Sequence, residues 1–572
     1  MEIKMNQQSS EICDILFIFI GDILDDDRSQ IPLGIAFLSG QLKKKRYSYK
    51  LLDLYNLGIN FEEKQLSSKF LEELLLIYKP KAIGVSVSSY YLDLTNKFID
   101  LLKDIIKRNK LWLPIILGGY ISLIPNVLEK TNADIVCCGE GEKIIIELID
   151  LINWITDRKN EDPNFLSNNA KHILDKLKSI QGIKFRDDII YPYENKRKKI
   201  KVHSNAPQNP IGNLDELEFP DYDIFDFKRY NIDKTIPFYA QRGCYNHCTF
   251  CDIIPFYGNK IIRRFSPEYI IRWMKFVQNK YNIQIIDFMD DNFLNSRPFL
   301  ETLFSLIEKE TPLLKINFQA RSSEILRFKD LISKYKQFIN CIEIGTESYS
   351  YSQLKRWNKN ITPLENIQAN KLLSELGVSY MNFYLWLDEK TTIEELDENV
   401  DILIEQPEVP IIQSSIKIPN FIMSYEISAI YDRLGRSSVR NIPHLFACER
   451  FLNETNEIAQ KINVFYTAFK KAQEYNNIDQ NIIKYSTKYG LNNNKEILNK
   501  INKISTGFFQ VANEIMKKRL YLSINLAEEI KNKKFIRKLK INKILSNYIQ
   551  KFKEDSDKIL NPINNLNIDF NN

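Results

Sequence analysis

The chain has 572 residues, too many for one hydrophobic core, so length alone predicts about two to four domains. Hydrophobic residues make up 44% and charged residues 27%, which fits a soluble globular protein, and no run of eighteen apolar residues offers a membrane span. The net charge of +6 is too weak to demand nucleic acid, and the eight cysteines show no framework of paired spacings, so a reducing cytoplasm is expected.

The opening "MEIKMNQQSSEICDILFIFIGD" has an apolar run without a basic leader or a small-residue cleavage site, and reads as a buried strand. From there, apolar runs alternate with amphipathic segments. "CDILFIFI" is a predicted strand, "PLGIAFLSGQLKKK" a helix opened by Pro32, and "YKLLDLY" and "KAIGVSVSSYY" are strands. "DLTNKFIDLLKDIIKR" is a helix, "LPIILGGY" a strand, "SLIPNVLEKT" a helix, "ADIVCCGEGE" a strand and "KIIIELIDLINWI" a last helix. This alternation predicts an α/β, doubly wound parallel sheet, Rossmann-like, over residues 1–160. Ligands of such sheets bind beyond the carboxyl ends of the strands. Those ends carry Ser86, Ser88 and Ser89, then Gly118, Gly119 and Tyr120, then Gly139, Glu140, Gly141 and Glu142. Three turns of small residues on one sheet edge suit a large flat ligand, although glycine after a strand is also ordinary turn chemistry. The G-x-G-x-x-G of a nicotinamide site is missing after the first strand.

Residues 161–235 read as a hairpin and linker. "IQGIKFRDDIIYPYENKRKK" is the hairpin, the basic "NKRKKIK" is its solvated end, and "NLDELEFPDYDIFDFKRY" is a loop around Pro220. Together with "PLGIAFLSGQL" and "GGYISLIPNVLEKTNADIVCCGEGE", these segments resemble the cobalamin-binding domain, hairpin and connector of cobalamin-dependent radical SAM enzymes. The resemblance implies that Ser86, Ser88, Ser89, Tyr90, Gly118, Gly119, Tyr120, Gly139, Glu140 and Gly141 bind cobalamin. The D-x-H-x-x-G of cobalamin mutases is absent, and none of His172, His203, His247 and His444 lies in the first domain. The resemblance therefore implies a cobalt whose lower face no histidine of this domain caps, with Tyr90 or Tyr91 placed to cover it.

In "AQRGCYNHCTFCDI", Cys244, Cys248 and Cys251 have the spacing C-x3-C-x2-C, after a predicted strand "TIPFYAQR" and before the amphipathic "SPEYIIRWMKFV". Thiolates select zinc, copper(I) or iron–sulfur clusters. Three are one short of a closed zinc site, and His247 adjoins Cys248 too closely to complete one without strain. On a four-iron cluster, three thiolates leave one iron open to chelation by S-adenosylmethionine (SAM). The spacing, with Phe250 before the last cysteine, resembles the radical SAM signature, in which the aromatic residue packs near the adenine.

The segments "IQIIDFMDD", "LKINFQARS", "FINCIEIGTES", "VSYMNFYLWLD" and "IIQSSIKIP" are further predicted strands. With "PFLETLFSLIEK" and "PLENIQANKLLSELG" as helices, the latter ending at Gly377, they predict a partial (β/α)6 TIM-type barrel over residues 236–430. Polar groups follow three strand ends. By the resemblance, Asp290 and Asp291 meet the methionyl amine of SAM, Arg321 and Ser323 its carboxylate or ribose, and Glu347 the ribose or methionine. A carboxylate suits an ammonium, and for each residue a helix N-cap is the alternative role. "LDEKTTIEELDENV" departs from the G-x-P-G-E-T of many relatives, which weakens any inference about substrate.

Residues 431–572 read as a helical domain, with Ile458, Ile462, Phe465 and Phe469 on one face and a basic helix "KNKKFIRKLKINKILSNYIQKF" docked by its apolar side. The resemblance covers roughly residues 12 to 430. It implies a cobalamin-dependent radical SAM enzyme with a [4Fe-4S] cluster, SAM and cobalamin as cofactors. The activity implied is C-methyl transfer, by SAM and methylcobalamin, to an unactivated carbon of a small-molecule or peptide natural product. An external one-electron reductant such as flavodoxin or ferredoxin is the implied partner. Cyclisation, ring rearrangement or oxidation without methyl transfer is the enzymatic alternative. A zinc-stabilised RNA-binding protein is the alternative from another class.

Overall fold

The computed structural model describes residues 12–20, 31–54, 68–87, 92–190, 200–230, 234–258, 261–384 and 544–556, with isolated positions between 395 and 402 and between 522 and 529. The chain forms two units, residues 1–320 with 328–342, and residues 321–327 with 343–572.

The first unit opens with β1 (Ile15–Ile20), α1 (Leu33–Lys44), β2 (Tyr49–Asp53), α2 (Ser68–Tyr78), β3 (Ile83–Val87), α3 (Leu92–Arg108), β4 (Ile115–Gly118), α4 (Val127–Lys130), β5 (Ile135–Cys137) and α5 (Glu142–Glu161). These strands pair in parallel in the order β2-β1-β3-β4-β5, the doubly wound order whose switch point lies between β1 and β3. Burial explains the pattern. Ile15, Ile18, Ile83, Ile115, Leu117 and Ile135 are fully buried, because helices cover both faces of a parallel sheet and its strands lose polar alternation. Two details differ from expectation. "SLIPNVLEKT" is not one helix but a 3-10 turn, Tyr120–Leu123, and the single turn α4, because Pro125 interrupts the segment and Asn126 takes a left-handed conformation (φ 56°). The strand pattern also passed over α2, which supplies Leu71, Leu74 and Leu75 to the core.

After α6 (Phe165–Asn168) and α7 (Ala170–Ser179), β6 (Ile183–Arg186) and β7 (Val202–Ser204) extend the sheet antiparallel beside β5, as the hairpin reading expects. The following segment is more than a loop. Leu214, Leu217, Tyr222 and Phe225 are buried, Asp221 N–H donates to the Ala36 carbonyl at 2.9 Å, and Tyr222 Oη donates to the Pro237 carbonyl at 2.5 Å. It straps α1 to the start of a second sheet.

That sheet begins with β8 (Thr235–Phe238). The chain continues through β9 (Gln241–Arg242), α8 (Ile253–Tyr257), β10 (Arg263–Arg264), α9 (Pro267–Tyr281), β11 (Ile285–Phe288), α10 (Arg297–Glu310) and β12 (Lys315–Ala320). β11 lies in parallel between β8 and β12. Ser266 caps α9 by accepting from Tyr269 N–H, and Pro267 opens it.

The second unit contains α11 (Ser322–Arg327). After α12 (Lys329–Tyr335) in the first unit, β13 (Ile339–Glu347) carries the chain into the second, followed by α13 (Tyr351–Arg356), α14 (Pro363–Leu376) and β14 (Tyr380–Tyr384). α14 opens with a capping box on Thr362 and Glu365 and ends at Gly377 (φ 69°), where the sequence placed its end. Described strands β8, β11, β12, β13 and β14 match five of the six barrel strands; "IIQSSIKIP" lies outside the described residues. Of the expected helical tail, residues 544–556 are described, as helix with Leu545 and Phe552 buried; Ile458, Ile462, Phe465 and Phe469 lie outside the described residues. Among the described residues no helix is long and apolar enough to cross a membrane.

Candidate active site

A cavity of about 420 Å³ opens in the first unit where the carboxyl ends of β3, β4 and β5 meet α1 and the second sheet. Ser86, Gly118, Gly119, Tyr120, Gly139, Glu140 and Gly141 all line it, so the three turns singled out in the sequence do converge. Ser88, Ser89, Tyr90 and Tyr91 lie outside the described residues. Most of the wall is apolar, with Phe17, Phe19 and Leu117 among its residues. Gly119 has φ +89°, and a Cβ there would lie 2.9 Å from the Val87 carbonyl oxygen, so only glycine lets the β3 and β4 ends approach this closely.

Glu140 does more than line the cavity. Its two oxygens pair with Arg242 at 2.8 Å and Arg263 at 2.7 Å, and one also accepts from Ile211 N–H at 2.9 Å. Glu142 takes the other end of Arg242 at 2.6 Å. All four side chains are buried. Burial alone would raise the Glu140 pKa, but the two guanidinium groups outweigh it and hold the carboxyl below its usual range. Glu140 thus lines the cavity with its carboxylate paired to two arginines.

Arg242 stands two residues before Cys244. β9 and β10 pair antiparallel, Arg242 opposite Arg263, and close the loop that carries the three cysteines. Gly243 starts this loop at φ +94°, where a Cβ would meet the Ile261 carbonyl oxygen at 2.7 Å. Cys244 is buried, and Cys248 and Cys251 are partly buried, with Cys251 N–H donating to the Cys248 carbonyl at 3.2 Å. His247 is exposed and Phe250 partly buried.

The end of β11 holds the base of this loop. Asp290, fully buried, accepts from Ala240 N–H at 3.1 Å and Gln241 N–H at 2.5 Å, while Asp291 accepts from Gly243 N–H at 3.2 Å. The structure thus gives Asp290 two backbone amides to hold. Burial pushes the Asp291 carboxyl up to about 7 despite that hydrogen bond. Burial also raises the Cys244 and Cys251 thiols, Cys251 to about 12, and the charges of Asp291 and of neighbouring cysteines add to it. The three thiols are close enough to feel one another's charge, yet among the described residues no three His, Cys, Asp or Glu groups converge on a single-ion site. Ligands of one multi-iron cluster stand further apart than ligands of one ion, and thiols held neutral by burial are ionised by the metal they bind. Three soft sulfur donors on one loop are the donor set such a cluster takes.

The thiol loop and the cavity share a wall. Phe256 and Tyr257, at the end of α8, line the cavity, and the Phe256 ring packs on Tyr120 with centroids 4.7 Å apart.

The other expected SAM contacts lie in the second unit with partners of their own. Arg321 donates to the Lys359 carbonyl and its Nε is 3.5 Å from Glu324. Ser323 Oγ donates to Glu324 at 3.1 Å. Glu347 has φ 62°, rare for a residue with a side chain, and pairs with buried Lys359 at 2.9 Å. The sequence reading passed over Arg242, Arg263 and Lys359. "QRG" was visible as context for the cysteines, but the acids that Arg242 pairs with lie 100 and 102 positions away.

Residues 238–403, which include the thiol loop, match the Radical SAM superfamily. This part of the chain is a radical SAM domain. An uncharacterized methyltransferase of Pyrococcus horikoshii is 23% identical over 377 residues, 64% of this chain and 72% of the relative. The anaerobic magnesium-protoporphyrin IX monomethyl ester cyclase of Cereibacter sphaeroides is 24% identical over 379 residues; the match spans 64% of this chain and 55% of that relative. Among solved structures, the cobalamin-dependent S-adenosylmethionine radical enzyme OxsB with aqua-cobalamin bound superposes with a TM-score of 0.58 at 17% identity, over 96% of this chain and 84% of that one. At that identity the superposition shows a shared fold.

Proposed function

We propose that this radical SAM enzyme is cobalamin-dependent and transfers a methyl group to an unactivated carbon of a small-molecule or peptide substrate. The observation that carries the reading is the wall shared by the thiol loop and the cavity, through Phe256, Tyr257 and Tyr120. Cys244, Cys248 and Cys251 would hold a four-iron cluster whose open iron takes SAM, and Ser86, Gly118, Gly119, Tyr120, Gly139 and Gly141 would hold cobalamin. When bound, these groups supply a 5′-deoxyadenosyl radical, by one-electron reduction from a donor such as flavodoxin or ferredoxin, and a methyl carrier. The chain's own residues position and insulate. Asp290 and Asp291 fix the base of the thiol loop, Arg242 and Glu140 tie that loop to the cavity rim, and the apolar wall excludes water from a reactive intermediate. The cytoplasm, with its reduced thiols, is the proposed compartment.

The named activity of the cyclase relative favours a second reading, radical chemistry without methyl transfer. The products separate the two. Methyl transfer through cobalamin converts one SAM to S-adenosylhomocysteine, whereas the second reading yields 5′-deoxyadenosine alone. Anaerobically reconstituted protein loaded with hydroxocobalamin and reductant should form both nucleosides; formation of 5′-deoxyadenosine without S-adenosylhomocysteine would select the second reading.

A further inference from the structure

Along β11 the side chains alternate. Ile286 and Phe288 are fully buried and absent from the cavity wall, while Asp287 and Met289 face the cavity beside Thr235, Pro237 and Tyr239 of the β8 segment. Asp287 stands between Pro237 and Asn317 in the sheet. Neither neighbour neutralises it. Pro237 has no N–H, and the Asn317 side-chain oxygen accepts from Asn340 Nδ2 at 2.8 Å. Among the described residues the Asp287 side chain has no hydrogen bond and no ion pair. The cavity's other acids are balanced, since Glu140 and Glu142 face Arg242 and Arg263, two charges against two. Asp287 is left as one uncompensated carboxyl on a mostly apolar wall, and burial pushes it up to about 6. A desolvated carboxylate is stabilised most by a cation that also donates hydrogen bonds. A neutral donor would satisfy its lone pairs and leave the charge unbalanced.

We infer that Asp287 is the recognition point for a protonated amine of the substrate, so that the cavity selects organic cations with an apolar body. The inference rests on the proposed function and places the substrate at the β8 and β11 side of the cavity, away from the turns that would hold cobalamin, and the test separates the two.

Benzylamine and benzyl alcohol, alike except for the charge, are titrated calorimetrically into the full chain, with and without hydroxocobalamin. Wild type should bind the amine at least tenfold more tightly than the alcohol. Asp287→Asn, and Asp287→Ser with a smaller side chain, should lose that preference and keep wild-type affinity for hydroxocobalamin. Met289→Leu, on the same face of β11, should retain the preference. Equal amine affinity in wild type and both Asp287 variants would overturn the inference, and so would a loss of hydroxocobalamin affinity in those variants, which would give the carboxylate to the corrin. A chain that binds no hydroxocobalamin in any form would defeat the functional reading alone, because the amine preference is read without it.

Discussion

A single residue decides more at the thiol loop than its neighbours suggest. Gly243 has φ +94°, and its missing side chain is what lets the Ile261 carbonyl pass. Gly243→Ala places a Cβ against backbone and forces a left-handed residue, at a cost of about 1–2 kcal/mol, and the strain falls on the residue before Cys244. The expected outcome is a folded protein whose iron uptake on reconstitution is reduced, measured as bound iron and sulfide per chain. Glu140 is a different case. Removing it leaves Arg263 buried without its carboxylate and Arg242 with Glu142 alone. Glu140→Ala should therefore lower stability by about 3–5 kcal/mol, seen as a fall in the thermal unfolding midpoint of the apo-protein. The cysteines stand out in the sequence because a soft-ligand triplet at fixed spacing states its chemistry locally. Glu140 and Asp290 were legible as polar groups at strand ends, but not in what they do. Asp290 holds amides 49 and 50 positions away, and no local pattern announces such partners.

At the scale of elements, β1, β3, β4 and β5 were readable because a strand covered on both faces is a continuous apolar run. β9 fell inside the predicted strand "TIPFYAQR", which the structure divides into β8 and β9, but β10 was not readable, being two residues that pair only across the thiol loop. The linker was read as a loop from Pro220 and its acids, yet those acids fasten it. Asp223 receives hydrogen bonds from Lys280, Tyr281 and Lys43, so linker, α9 and α1 meet on one carboxylate. Burial raises the Asp223 carboxyl, but these bonds outweigh it and carry it down to about 2. A carboxyl depressed in the folded state stabilises above its unfolded pKa of about 3.9. That contribution fades as the pH falls from about 4 through 2. Asp223→Asn should flatten the acid limb of the stability profile in that window and leave its slope above pH 5 unchanged, as followed by urea unfolding at stepped pH.

For the molecule as a whole, the doubly wound sheet and the partial barrel were legible from alternation, and the three small-residue turns do line one cavity. The residue pairings that join cavity and thiol loop were not legible. They are Tyr120 with Phe256 and Arg242 with Glu140, which only the folded chain brings together. The central claim is that Cys244, Cys248 and Cys251 hold a SAM-cleaving cluster beside a separate cobalamin site. The most direct measurement is 5′-deoxyadenosine formation under reductant by anaerobically reconstituted wild type and Cys248→Ala, both loaded with hydroxocobalamin. Wild type should cleave SAM, while the variant should retain the corrin and form no 5′-deoxyadenosine; a variant that cleaves SAM at the wild-type rate would contradict the claim.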